Sequence, residues 1–277
     1  MSRFPKTCLV LIQGAFVTAT LVAGAPADSG LKYFRSDAGV AGPGAGPLPE
    51  RFDTSGALRW RVPIDSGHST PVLCQDKIIL TTYRDAEKEL ATVALNRQTG
   101  QLIWKRVLAT GRIEPVHRTG NPAASTPAYD GQRLYVFFGS HGLICYDLEG
   151  KEIWDHPLGP FQQEFGASSS PVLVDDKVIL HEDHDINSFV MAIDRSTGQT
   201  VWKVARPDAV RSYSTPAVWT HDGKRQLLVA GALELAAYDP ANGEKLWWVN
   251  GLARIVIPIP VPGSDLVYMA SWSPGGD

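Results

Sequence analysis

Five tryptophans recur along this chain at nearly constant spacing. Trp60, Trp104, Trp154, Trp202 and Trp247 stand 44, 50, 48 and 45 residues apart. Two further landmarks keep the same period. A hydroxyl pair before proline occurs as Ser69-Thr70-Pro71, Ser125-Thr126-Pro127, Ser169-Ser170-Pro171 and Ser214-Thr215-Pro216. A turn string from Asn or Asp to Gly precedes each later Trp, at residues 96–100, 147–150, 194–198 and 239–243. Three landmarks in one order, four times over, mark a repeat array. Its fold is therefore decided by what one unit of 40–50 residues cannot bury by itself.

Each unit reads as four short strands. In the third they are predicted at 171–174, 177–181, 189–194 and 199–204. Asp175-Asp176 makes the first turn, and the Asp194–Gly198 string makes the last, with Gly supplying a positive φ. No convincing helical period of any length is present in the chain after residue 27. A four-stranded sheet with two apolar faces must stack on others like it. The fold class expected is all-β, a β-propeller of four-stranded antiparallel blades. The recurring Trp would sit on each outermost strand and fill the gap between blades.

The strings Ala94-Leu95-Asn96-x-x-Thr99-Gly100-x-x-x-Trp104, Ala192-Ile193-Asp194-x-x-Thr197-Gly198-x-x-x-Trp202 and Ala237-Tyr238-Asp239-x-x-Asn242-Gly243-x-x-x-Trp247 carry a family resemblance. They resemble the propeller repeats of pyrroloquinoline quinone (PQQ) enzymes and of the outer-membrane assembly lipoprotein with the same fold. The resemblance covers about residues 58–272, and within it the chain looks like the exported bacterial PQQ-like repeat proteins. It implies a ring of seven or eight blades. Only four full units are legible here, near 69–107, 125–158, 169–205 and 214–249. An isolated outer strand is expected at 58–62, and two strands of a further unit at 257–261 and 266–272. The expectation is an incomplete ring in a C-terminally truncated chain, with a five-blade ring lacking one strand as the alternative.

Residues 1–27 read as an export signal: Arg3 and Lys6, an apolar stretch from Cys8 to Ala23, and small residues Ala25-Pro26-Ala27 at the cleavage site. Gln13, Thr18 and Thr20 interrupt the apolar run, so no transmembrane segment is expected after cleavage. A periplasmic or secreted location follows. Residues 28–57, with Gly42-Pro43-Gly44-Ala45-Gly46-Pro47, read as a surface lead-in. Export permits a disulfide, but Cys74 and Cys145 fall in different repeats and read as small buried apolar residues.

The formal charge is −3, and −5 once Arg3 and Lys6 are removed with the signal. With no Lys/Arg block, no aromatic-plus-basic surface and no Gly-rich phosphate loop, nucleic acid is not an expected partner. The 44% hydrophobic content excludes global disorder.

In a propeller the loops joining strands two and three share one face with those joining successive blades. Five of the seven histidines map there, His68, His117, His141, His181 and His184, with Arg118, Arg211 and Arg254. The binding-face candidates are thus His68, His117, Arg118, Asn121, His141, His184, Arg211 and Arg254. His117, Arg118 and Asn121 lie in one long loop and would suit an anionic or sugar-like ligand, or could cap the channel structurally. Asp183, Asp185 and Asn187 offer oxygens at a spacing of two, as a calcium loop begins, but Ser188 stands where such a loop needs Gly. A polar hairpin is the competing reading.

The sequence is compatible with three function classes. An exported binding or scaffold protein, holding a protein or saccharide partner on its loop face, has the most support, and on it no cofactor is expected. The alternative is a PQQ-dependent dehydrogenase-like quinoprotein, for which the resemblance implies PQQ with calcium. Such enzymes often carry adjacent cysteines, absent here, and no catalytic residue is assigned by motif. A hydrolase or lyase in the channel has no supporting string, Gly-x-Ser-x-Gly included.

Overall fold

The computed structural model describes residues 58–272, together with Phe34 and Gly56. The expected signal and nearly all of the lead-in lie outside the described residues. Four sheets of four antiparallel strands follow in chain order. Blade I holds β1 (Val72–Cys74), β2 (Lys77–Arg84), β3 (Glu89–Asn96) and β4 (Leu102–Leu108). Blade II holds β5 (Ala128–Tyr129), β6 (Arg133–Phe138), β7 (Gly142–Asp147) and β8 (Glu152–Pro157). Blade III holds β9 (Val172–Val174), β10 (Lys177–Glu182), β11 (Phe189–Asp194) and β12 (Thr200–Ala205). Blade IV holds β13 (Ala217–His221), β14 (Lys224–Gly231), β15 (Glu234–Tyr238) and β16 (Lys245–Asn250). A two-stranded sheet, β17 (Val261–Pro262) with β18 (Val267–Tyr268), completes the described arc. No helix occurs among the described residues. First strands of neighbouring blades approach one another, β1 with β5 and β13 with β17, which puts them nearest the hub of an unclosed fan.

Apolar residues fill the seams between blades. Ile79, Leu90 and Trp104 of blade I pack with Tyr129, Val136 and Ile144 of blade II. Within β10, Val178 and Leu180 face blade II while Ile179 faces blade IV, as the two-residue period of a strand requires. Cys74 and Cys145 are buried in different seams and are not joined in a disulfide, as expected. Burial pushes the Cys145 thiol up to about 12.

Four of the five recurring Trp dock on the last turn of the next blade. That turn is built by its Asx: Asp194 Oδ1 accepts from the backbone N–H of Ser196 and of Thr197, both at 2.9 Å. Gly198 closes it, donating N–H to the Asp194 carbonyl at φ +74°. The Trp154 indole lies flat on this glycine, and its N–H donates to Arg195 O at 3.0 Å. The same pairing recurs for Trp60 on Gly100, Trp104 on Gly150 and Trp202 on Gly243, with N–H bonds to Arg97, Leu148 and Pro240 carbonyls at 2.9–3.1 Å. Trp247 departs from the series, donating to Gln226 Oε1 at 2.6 Å. The residue opposite each strand-borne Trp is small, Ala94, Cys145, Ala192 or Ala237, and a β-bulge follows it. The small neighbour makes room for the indole.

The hydroxyl triplets form a second tie. Thr70 N–H donates to Thr126 Oγ1 at 2.9 Å, Thr126 N–H to Ser170 Oγ at 3.0 Å, and Ser170 N–H to Thr215 Oγ1 at 3.0 Å. One hydrogen bond thus passes from each blade to the next.

Two sequence expectations need correction. Residues 58–62 are not a strand. No described strand pairs with them, and Trp60 instead anchors the segment to blade I. The fifth unit is also shorter than expected, because Pro258, Pro260 and Pro262 remove donors from its ladder. Large apolar residues are exposed toward the last unit, including Trp248 at 58% and Trp272 at 71%.

Glycine substitutions test the docking. A Cβ at Gly198 would come within 2.7–2.8 Å of the Trp154 ring, whereas one at Gly223, at φ +71°, meets open space. Gly223→Ala should cost about 1–2 kcal/mol from backbone strain alone. Gly198→Ala should cost about 1–3 kcal/mol more through overpacking, read as a lower midpoint in urea unfolding.

Candidate functional site

Blade III and its flanking loops gather the densest set of charged groups, on the face that joins strands two to three and blade to blade. β10 ends in His181 and Glu182, and the turn after it begins with Asp183 and His184. All four are buried. Asp183 meets Arg206, just beyond β12, through two charge-assisted bonds: Nε to Oδ1 at 2.8 Å and Nη2 to Oδ2 at 2.9 Å. Arg206 Nη1 also donates to the Tyr238 hydroxyl at 2.6 Å. His181 Nε2 lies 3.0 Å from Asp183 Oδ2, and its Nδ1 lies 3.1 Å from the Ser214 carbonyl. Burial alone would raise the Asp183 carboxyl. The His181 and Arg206 beside it win, holding it down at about 2. Gly231 makes room for this pair, since a Cβ there would collide with Arg206 Nη2 and Asp183 Oδ2. Gln163 Nε2 bridges the Asp183 and Ser212 carbonyls at 3.0 and 2.8 Å. This cluster ties blades III and IV together.

A surface layer lies beside it. Arg211 holds Asp185 through Nε and Nη2, at 2.5 and 3.1 Å, and Glu164 through Nη1 at 2.5 Å. These three line a cleft of about 340 Å³, with Arg112, Glu114 and Phe161 also in its wall. A second cleft of about 340 Å³ is walled by Phe161, His184, Phe189 and Lys203. The Lys203 ammonium sits 3.9 Å over the Phe189 ring, and the His184 ring lies 4.6 Å from that of Phe161. Burial lowers the His184 pKa and keeps the ring neutral near pH 7.

The structure brings His184, Asp185 and Arg211 into one neighbourhood and distributes the other candidates. His68 is exposed and donates its backbone N–H to Ala123 O. His117 is exposed and stands edge-on to Phe165. Arg118 and Arg254 are exposed. His141 Nε2 lies 2.8 Å from Asp155 Oδ1. Asn121 is a loop staple: Nδ2 donates to Ser66 Oγ at 3.0 Å and Oδ1 accepts from Ala123 N–H at 2.8 Å. Asp183 and Asp185 are each clasped by a different guanidinium, and Asn187 is exposed in a turn at φ +65°.

The sequence reading missed Arg206, Gln163, Glu164, Glu114 and Glu182. For Glu182 a signal exists, because the period of Val178 and Leu180 carries it onto the apolar seam with blade II. Glu114, in a loop, gives none.

An arc of four-stranded blades knit by Trp on a turn glycine defines a β-propeller protein of PQQ-like repeats. The family model described as outer membrane protein assembly factor BamB matches residues 50–179 and, overlapping them, 91–254. The chain belongs to this family. No curated protein sequence matches it. Among solved structures, BamB from Moraxella catarrhalis is similar at a TM-score of 0.51 and 18% identity, over 72% of this chain and 56% of that one. Quinohemoprotein alcohol dehydrogenase ADHIIG from Pseudomonas putida HK5 aligns at 0.50 and 18%, over 69% and 35%. The quinohemoprotein alcohol dehydrogenase of Comamonas testosteroni aligns at 0.51 and 16%, over 67% and 35%. The chain thus spans about a third to just over half of these proteins' lengths.

The set Asp183, Asp185 and Asn187 does not fit a calcium loop. Both aspartates of the sequence-derived calcium set are committed to arginines. Among the described residues no group of three or more His, Cys, Asp or Glu is placed to hold a metal.

Removing one partner of the buried pair tests the cluster. Arg206→Met should cost about 3–5 kcal/mol by stranding the Asp183 charge, and R206M/D183L should recover part of it in chemical unfolding. The pH dependence has a definite sign. Asp183 is depressed from its ordinary value of 3.8 to about 2, so its stabilising contribution is present above about pH 4 and lost as pH falls through about 2. Acid unfolding of D183N should lack that component.

Proposed function

We propose that this protein is an exported scaffold that holds a protein partner on its loop face. The observation that carries the reading is the cleft around Arg211, Asp185 and Glu164: an exposed ionic triad fixed on a rigid stack of blades. Polar groups already locked in place lose little entropy on binding. The family description, outer membrane protein assembly factor, favours a protein over a saccharide as the first partner to test. The N-terminal segment with Arg3, Lys6 and its apolar run supports export to the periplasm.

The reading is tested by crosslinking in the periplasm of the native host, with mass-spectrometric identification of what is captured. Arg112→Ala, His117→Ala and Arg211→Ala, combined, should weaken capture of a specific protein at least tenfold. Lys151→Ala, on the opposite face, should not. Equal capture by both variants would sink the loop-face assignment. The likeness to two quinohemoprotein dehydrogenases keeps a second reading in view. Dye reduction on adding PQQ, calcium and an alcohol would favour it over the scaffold.

A further inference from the structure

Glu114 and Glu182 are buried in the seam between blades II and III, at 2% and 1% exposure. They come from different elements: Glu114 from the loop joining blades I and II, Glu182 from the end of β10. Glu114 Oε2 and Glu182 Oε1 are both shut off from solvent and without a hydrogen-bond partner. Among the described residues the only bond to the Glu114 carboxyl is a long one, from Ala167 N–H to Oε1 at 3.5 Å. The Glu114 carboxyl lies against Gly139, where a Cβ would stand 2.6–2.7 Å from both of its oxygens and would also collide with the Ala167 methyl. Gln163 Oε1 is likewise buried and unpartnered, while its Nε2 is occupied by two carbonyls. None of these three oxygens accepts a hydrogen bond among the described residues.

Nearby charges do not relieve this. In the loop of Glu114 itself, Arg112 and His117 are exposed. Across the β6–β7 turn, His141 is paired to Asp155. In the loop joining blades II and III, Glu164 is bound by Arg211. Beside Glu182, His181 and Arg206 are committed to Asp183, which adds a negative charge, and His184 is neutral near pH 7. Arg211 is committed to Asp185 and Glu164. Two ionised carboxylates cannot persist in so dry a place without a counter-charge. A calcium ion would need six to eight oxygen ligands, and the seam offers three unused ones. A proton satisfies the geometry at lower demand, because a neutral acid can donate where a carboxylate only accepts.

We propose that Glu114 and Glu182 form a proton-binding pair, uncharged while the two long loops lie as described, and that ionisation loosens those loops from the seam. The loops at 109–127 and 158–171 are the layer that would respond. They are joined by the His117 N–H bond to Glu164 O at 2.6 Å, and Glu114 N–H fastens the first of them to Ser140 Oγ at 3.0 Å. The electrostatics agree: desolvation lifts the Glu114 pKa to about 7, and desolvation together with the nearby Glu114 and Asp183 lifts that of Glu182 well above its usual range. A carboxyl raised on folding contributes most below its unfolded value, and that contribution is lost as pH rises through its folded value. The window for Glu114 therefore runs from about pH 4.5 to 7. The inference stands whether or not the loop face binds a partner.

The test compares the intact chain with E114Q and E182Q. The melting temperature of the wild type should fall by roughly 5–10 °C between pH 5 and pH 8 relative to E114Q. Hydrogen exchange in peptides covering 109–127 and 158–171 should accelerate over the same range in the wild type alone. Parallel melting profiles would overturn the proposal. Should either variant fail to fold, carbon-13 titration of the wild-type glutamate carboxyls decides. At least one must titrate near or above pH 7, and all titrating below pH 5.5 would overturn it. Added calcium that raises the melting temperature at pH 8 in the wild type but not in E114Q would replace the proton with a metal and also overturn it.

Discussion

The contact on which the architecture depends is an indole lying flat on a glycine. A four-stranded sheet of this size leaves apolar surface on both faces and gains stability only by stacking. The Trp of one blade covers the turn of the next, where the glycine brings no side chain and the turn carbonyl takes the indole N–H. The turn is itself set by Asx oxygens that satisfy its backbone donors. Nearer the hub, the hydroxyl relay fixes how far one blade can slide on another. Apolar area supplies most of the energy at each seam, while these directional contacts select one stacking geometry.

On that base the loop face separates two kinds of polar group. Arg206, Asp183, His181 and Gln163 are shut away from water and serve to join blades III and IV. Arg211, Asp185 and Glu164 form an ionic layer at the surface, where a partner could exchange for them at small cost. The likeness to BamB and to quinohemoprotein dehydrogenases extends to the path of the backbone, at 16–18% identity. Fold does not specify chemistry, so this likeness assigns none to the present chain.

Much of the fold was legible in the sequence, and the reason is local. The Trp, the Asx-to-Gly turn and the hydroxyl triplet recur because each contact joins equivalent positions one repeat apart. The strands of blade III fall within a residue or so of their predicted limits. The site was less legible. Arg206 meets Asp183, and Glu114 approaches Glu182, through loops of different length and without any shared period. The Asp183, Asp185 and Asn187 spacing suggested a cation, yet spacing cannot reveal that each aspartate already has a guanidinium of its own. Residues 58–62 alternate like a strand, but a strand needs an edge to pair with, and this segment is held instead by Trp60 and by the bond from Arg59 to Gln98.

The hydroxyl relay also bears on how such arrays change in length. Each junction uses the same donor and the same acceptor, from Thr70 to Thr126, to Ser170, to Thr215. A whole unit duplicated or deleted by recombination would find compatible handles on both sides. At the position equivalent to Thr215, the last unit carries Ile259, which has no hydroxyl to accept the next bond. Register at that junction must be kept by other means, such as the bond from Ser214 Oγ to Pro258 O at 2.8 Å.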